Sequence, residues 1–337
     1  MTARALIVGL SGPELTDDER RFFREIDPWG FILFRRNVVD RAQVARLTSE
    51  LRAAIGRCAP VLIDQEGGRV QRLAPPVWPA YPPGRAYGRL ESPFARREAA
   101  WLGARLIAHD LREVGVDVDC LPVLDVPSPG AHDVIGDRAY GDEPATVASL
   151  GRAAAEGLLS GGVLPVVKHI PGHGRAGADS HHDLPVVDAP LAELDARDFA
   201  PFRVLADMPL AMTAHVVFTA LDATRPATTS PEVISRIIRG AIGFDGLLMS
   251  DDLSMKALQG DFAARARDSI AAGCDVVLHC NGDRAEMEQI AAATPLLNGE
   301  AARRADMALG RILKTVEPLD VEAARARLAE LLAPALA

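Results

Sequence analysis

Residues 243–253 read Gly-Phe-Asp-Gly-Leu-Leu-Met-Ser-Asp-Asp-Leu. Leu247, Leu248 and Met249 form a short apolar run, bounded by Gly246 on one side and closed by Ser250, Asp251 and Asp252 on the other. A run this short reads as a buried strand rather than a helix. Successive strand side chains face opposite ways, so at least one of the two adjacent carboxylates points into whatever the strand end opens on. The same pattern recurs along the chain, at residues 5–10, 30–34, 61–66, 120–126, 163–170, 210–217, 246–253 and 275–280. Their near-continuous apolar character fits parallel strands buried on both faces. Between them, residues 40–57, 93–114, 144–160, 231–241 and 261–272 carry helical periodicity. Asp40, Ser92-Pro93 and Ser230-Pro231 are placed as helix starts, and Gly273 as a helix stop.

Eight strands alternating with helices predict an α/β protein, a single (β/α)8 TIM barrel over residues 1–337. The alternative is a doubly wound open sheet. Polar residues at the strand ends favour the barrel. Arg35, Arg36 and Asn37 follow strand 2, Asp64 and Glu66 lie on strand 3, and Asp125 on strand 4. Lys168 and His169 close strand 5, His215 strand 6, Asp251 and Asp252 strand 7, and His279 and Asn281 strand 8. A barrel converges these ends on one mouth, where barrel enzymes keep their active sites, whereas an open sheet scatters them along an edge. The longest connection, after strand 3, begins with the proline-rich stretch 75–83, whose Trp78 either packs inward or stacks on a ligand. Residues 304–337 read as outer helices without a motif.

Composition narrows the function. Hydrophobic residues make up 48% and charged residues 25%, as in an ordinary globular protein. Lys plus Arg number 37 and Asp plus Glu 46, so the net charge is 37 − 46 = −9. That balance argues against nucleic acid or an anionic membrane as partner, while leaving room for a local basic pocket. Cys58, Cys120, Cys274 and Cys280 form no CxxC pair and read as free thiols of a reducing compartment. The apolar run at 5–10 is too short for a signal peptide, and no segment reaches the ~18 apolar residues of a membrane span. The expectation is a cytoplasmic protein, a monomer or weak dimer.

Three patches carry chemistry. Asp64-Gln65-Glu66-Gly67-Gly68-Arg69-Val70-Gln71-Arg72 places carboxylates and guanidinium groups around glycines. Such a set suits a ligand rich in hydroxyls, or equally an Asp–Arg pair that locks a loop. Lys168-His169-Ile170-Pro171-Gly172-His173-Gly174 is followed by Asp179-Ser180-His181. Gly172, Gly174 and Gly177 match GxGxxG, but they run into poor helix sequence, which argues against nucleotide binding. The better reading is a loop that its glycines allow to swing, with Asp179 two residues from His181. A carboxylate beside an imidazole favours its charged form and makes it a tunable proton donor. The third patch is residues 243–253, where a desolvated Asp is costly unless paired or catalytic, and where Asp252 or Ser250 could equally cap a turn.

The stretches DQEGGRVQR, KHIPGHG followed by DSH, and GFDGLLMSDDLSM together resemble the signatures of family 3 glycoside hydrolases, in order and spacing over nearly the whole chain. They are most similar to the single-domain bacterial β-N-acetylglucosaminidases of cell-wall recycling. The resemblance implies a retaining mechanism, no metal, no cofactor, and a muropeptide or other N-acetylglucosaminyl sugar as substrate. It places the nucleophile on Asp251, after the Ser of GxxSD, and not on Asp252. It places the acid/base on His181, paired with Asp179, and sugar binding on Asp64, Arg72, Lys168, His169 and Arg138. Retaining glycosidases usually pair two carboxylates about 5 Å apart; an imidazole donor departs from that pattern and keeps phosphate possible in place of water as acceptor. Glu66 is the next candidate acid. A metal-dependent barrel hydrolase would use His169, His173, His181 or His182 with Asp251, but the chain lacks an HxH at the end of strand 1. A non-catalytic sugar-binding protein would have no use for Asp251 and His181.

Overall fold

In the computed structural model, which describes residues 3–177, 180, 184–313 and 315–336, eight parallel strands close into a barrel. They are β1 (Arg4–Val8), β2 (Pro28–Leu33), β3 (Val61–Ile63), β4 (Val118–Asp119), β5 (Leu164–Ile170), β6 (Leu210–Thr213), β7 (Leu247–Asp252) and β8 (Val276–His279). Their order around the barrel follows the chain, with β8 returning to β1. The expected (β/α)8 barrel is the fold.

Alternation along the strands divides the core in two. Ile7, Ile32, Leu62, Val118, Val166, Met212, Met249 and Leu278 fill the barrel interior. Leu6, Val8, Phe31, Ile63, Val167, Ala211, Leu248 and Val277 face the surrounding helices. Each side of the sheet is therefore covered, which is why the strands read as continuous apolar runs. Stepping two residues on from Leu62, Val166 and Met249 gives Asp64, Lys168 and Asp251. These three continue the inward rows into the mouth.

Helix signals in the sequence act as expected. Asp40 accepts from Gln43 N at 2.8 Å to cap the helix Arg41–Ile55, Ser92 caps Pro93–Glu113, and Gly273, at φ 117°, ends Phe262–Ala272. The segment 231–241 differs: residues Val233–Ala241 are wound as a π-helix. Strand 4 differs too. It pairs regularly only at Val118–Asp119, before the expected start at 120. Pro122 has no N–H to give, so the chain from 120 to 125 runs beside β5 through scattered bonds: Val166 N to Leu121 O, Lys168 N to Pro122 O and Leu124 N to Lys168 O. In the proline-rich stretch, Trp78 (2% exposed) and Tyr81 pack inward, so Trp78 offers no stacking face to a ligand. Among the described residues, no helix is long and apolar enough to cross a membrane.

Candidate active site

The C-terminal ends of the strands open on one cavity. Asp64, Arg72, Arg138, Lys168, His169 and Asp251 all line it, beside Glu66, Phe34, Met255 and Cys280. Asp179 and His181 lie outside the described residues; Ser180 between them is described and borders the same cavity.

One wall is a charge network. Lys168, 2% exposed, puts Nζ 2.9 Å from Asp64 Oδ1 and 2.6 Å from Glu66 Oε1. Arg72 Nη2 donates to Asp64 Oδ2 at 3.0 Å. Arg138 grips Glu66 with Nε and Nη2 at 2.9 and 2.8 Å, the two-pronged geometry a guanidinium offers a carboxylate. Burial alone would raise both acids, but the cations outweigh it: Lys168 and Arg72 hold Asp64 well below the usual carboxylate range. Arg138 and Lys168 bring Glu66 down to about 2. The same contacts overcome the burial penalty on Lys168 and push it up. Glu66 thus has no proton to give near neutral pH, and the fallback that made it the acid is set aside. The network also answers the even choice posed by the DQEGGR stretch. Asp64 and Arg72 do form a pair, and that pair lines the cavity.

Asp251, 7% exposed, sits at the mouth end of the inward row of β7, with Oδ1 accepting from Asp252 N at 2.8 Å. Asp252 is used otherwise. Its Oδ1 accepts from Ser254 N and Cys280 N, and its Oδ2 from Ser254 Oγ at 2.5 Å, which fixes the turn after β7. The turn-capping reading of Asp252 and an inward Asp251 coexist. Opposite, His169 Nδ1 lies 2.7 Å from Asp125 Oδ2. Asp125 Oδ1 takes the backbone N–H of His169 and of His173, at 3.2 and 2.6 Å. Despite its burial, Asp125 is held at about 2 by the two imidazoles and these N–H groups. Burial and the neighbouring His169 bring His173 down to about 4. A buried carboxylate in a mouth lined by fixed donors can attack or stabilise an electron-poor carbon.

Not every polar strand end joins the site. Arg36 and Asn37 bond the carbonyl of Leu10 and lock β2 to the loop after β1. His215 spans Thr228 Oγ1 and Asp252 O, and His279 faces outward to Glu286 at 2.7 Å. From Pro171 to Gly177 the described residues form no helix.

The family described as "Glycosyl hydrolase family 3 N terminal domain" matches residues 14–315. The chain belongs to glycosyl hydrolase family 3. Among its family 3 relatives, a beta-hexosaminidase of Bordetella pertussis is 39% identical over 307 residues, covering 89% of this chain and 87% of the relative. A beta-hexosaminidase of Methylococcus capsulatus is 43% identical over 279 residues, 81% of each chain. NagZ from Neisseria gonorrhoeae, solved in complex with N-trifluoroacetyl-D-glucosamine, superposes with a TM-score of 0.86 at 34% identity, over 98% of this chain and 99% of that one. A family 3 beta-N-acetylglucosaminidase from Paenibacillus sp. gives 0.80 at 35% identity over 96% of this chain, which spans only 61% of that longer protein.

Asp125 is the residue of this family 3 site whose part the sequence did not disclose. It stands at a strand end like the others, but its bond to His169 depends on the irregular register of residues 120–125 against β5.

Proposed function

We propose that the chain is a retaining exo-β-N-acetylglucosaminidase that removes N-acetylglucosamine from 1,6-anhydro-N-acetylmuramic acid fragments, with or without peptide, in peptidoglycan recycling in the cytoplasm. The observation that carries this reading is the inward Asp251 facing the Asp64–Lys168–Glu66–Arg138 network inside a family 3 barrel. The beta-hexosaminidase names of relatives about 40% identical support the substrate class.

Asp64, Arg72, Arg138, Lys168 and His169 hold the sugar, the cations donating to hydroxyl oxygens along fixed directions. Asp251 attacks the anomeric carbon and the bond to the leaving oxygen breaks. His181, oriented by Asp179, gives that oxygen its proton. His181 then takes a proton from the incoming water, whose oxygen displaces Asp251 from the sugar and releases N-acetylglucosamine. No step requires a metal. Purified protein assayed side by side on chromogenic β-N-acetylglucosaminide, β-glucoside and β-xyloside tests the reading. The acetylated sugar should be preferred, as the beta-hexosaminidase names of the relatives imply. A preference of about tenfold for the glucoside, ~1.4 kcal/mol in the barrier, would overturn the assignment.

A further inference from the structure

Donors crowd the cavity. Lys168, Arg72 and Arg138 all present N–H groups, and the carboxylates of Asp64 and Glu66 already accept from them. A sugar hydroxyl bound here finds partners for its lone pairs more easily than for its proton. His169 lines the same cavity, and among the described residues its ring is tied at one nitrogen only. Nδ1 lies against Asp125, and no described residue bonds Nε2.

We infer that Asp125 is a positioning residue of the sugar site, holding the proton of His169 on Nδ1 so that Nε2 faces the cavity as a hydrogen-bond acceptor for a substrate hydroxyl. The inference deepens the proposed sugar-binding role of His169 and rests on it. Asp125 is fully buried and both its oxygens are committed. Oδ1 takes two backbone N–H groups, from His169 and His173, and Oδ2 faces Nδ1 at 2.7 Å. An ionised carboxylate is an acceptor only, so the imidazole must donate from Nδ1. In the neutral ring that leaves the lone pair on Nε2.

The geometry makes Asp125→Asn informative. Asn has one acceptor where Asp has two, and the two backbone N–H groups claim it. The side-chain amide then turns its NH2 toward His169 Nδ1, which must become the acceptor. The ring proton moves to Nε2, and the cavity gains another donor in place of its acceptor. The overall shape of the site barely changes, so a merely structural role for Asp125 would not produce this switch.

The test uses the full chain with 15N-labelled histidine, the His169 signals assigned by their loss in His169→Gln. In the wild type the nitrogen shifts should report a neutral ring protonated at Nδ1 at the assay pH. In Asp125→Asn they should report protonation at Nε2, with kcat/KM on β-N-acetylglucosaminide lowered about 10- to 100-fold, as for a lost bond to a buried polar ligand group. A wild-type ring protonated at Nε2, or at both nitrogens, overturns the inference even if the enzyme turns over normally. An unchanged kcat/KM in a folded Asp125→Asn with a switched ring also overturns it. Should Asp125→Asn not fold, the wild-type shifts decide alone. A correct wild-type tautomer without turnover, and without any response of the His169 signals to N-acetylglucosamine, sinks the proposed function instead and leaves the Asp125–His169 geometry standing.

Discussion

At Asp251 and Asp252, two identical side chains border one cavity side by side but are held differently. Asp251 faces the cavity on the row of Leu247 and Met249, while the oxygens of Asp252 are taken by Ser254 and Cys280. Asp251→Ala should therefore abolish turnover with little loss of stability. Asp252→Ala should retain measurable turnover but lose a turn cap, worth about 1–2 kcal/mol in denaturant unfolding. A 5-fluoro glycosyl donor, which slows the second step, should label the peptide containing Asp251; a label on Asp252 would refute the assignment. Lys168 supports a second prediction. It is buried between Asp64 and Glu66, so Lys168→Met leaves two buried carboxylates close together with one guanidinium each. Breaking a buried pair by deleting one partner costs about 3–5 kcal/mol. The variant should lose stability toward the lower part of that range, since the arginines remain, and should bind sugar poorly. Wild-type stability in Lys168→Met would mean that the two arginines alone satisfy the acids.

Among the elements, the segment after β5 opens on two closely packed glycines, Gly172 and Gly174. A Cβ on Gly174 would stand 2.1 Å from Val126 O, and Gly172, at φ 141°, lies against Asp198. A Cβ on Gly177 would meet no described residue within 4 Å. Gly174→Ala must push back the tail of strand 4, which carries Asp125, and should cost about 1–3 kcal/mol with a marked fall in kcat/KM. Gly177→Ala should stay within about 0.5 kcal/mol of the parent. Equal melting temperatures for the two variants would show that the Gly174 contact yields freely. The barrel strands were legible because burial on both faces leaves continuous apolar runs, and the helix caps because Asp40, Ser92 and Gly273 act within one turn. The register of strand 4 was not legible, since Pro122 breaks its ladder and the partners of residues 121–124 lie on β5. Asp64, Lys168 and Asp251 could be placed by strand parity. That Glu66 is gripped by Arg138, or His169 by Asp125, depends on contacts between segments far apart in the sequence, which no local pattern records.

Across the whole molecule, the mouth leans on distant parts of the chain. The helix Val321–Leu336 lies beyond the residues matched by the family. It buries Leu328 and Leu332 and packs against the helices Pro93–Glu113 and Gly84–Gly88. Gly84 in turn rests on the backbone of Arg138, where a Cβ would come within 2.3 Å of the carbonyl. A chain ending at Leu319 should lose about 3–6 kcal/mol, counting two leucines at ~1.5–3 each, and should show a raised KM with kcat little changed. A lowered kcat at unchanged KM would disconnect the helix from Arg138. The buried charges also set how the whole fold meets acid. His173 is pushed down to about 4 from an ordinary 6.5, so the unfolded chain takes up its proton first and stability falls as pH drops from about 6.5 toward 4. Glu66 is lowered from 4.5 to about 2, and Asp125 from 3.8 to about 2. Their contributions are complete above about pH 4.5 and are lost as pH falls toward 2. All three make the denaturant midpoint decline, gently below about pH 6.5 and steeply below about 4.5, against the opposing pull of Asp117, Asp119 and Asp198, whose carboxyls burial raises. His173→Asn should flatten the upper part of that decline and spare the lower part. Identical midpoint profiles for wild type and His173→Asn between pH 6.5 and 4.5 would mean that His173 takes up its proton in the folded protein without cost.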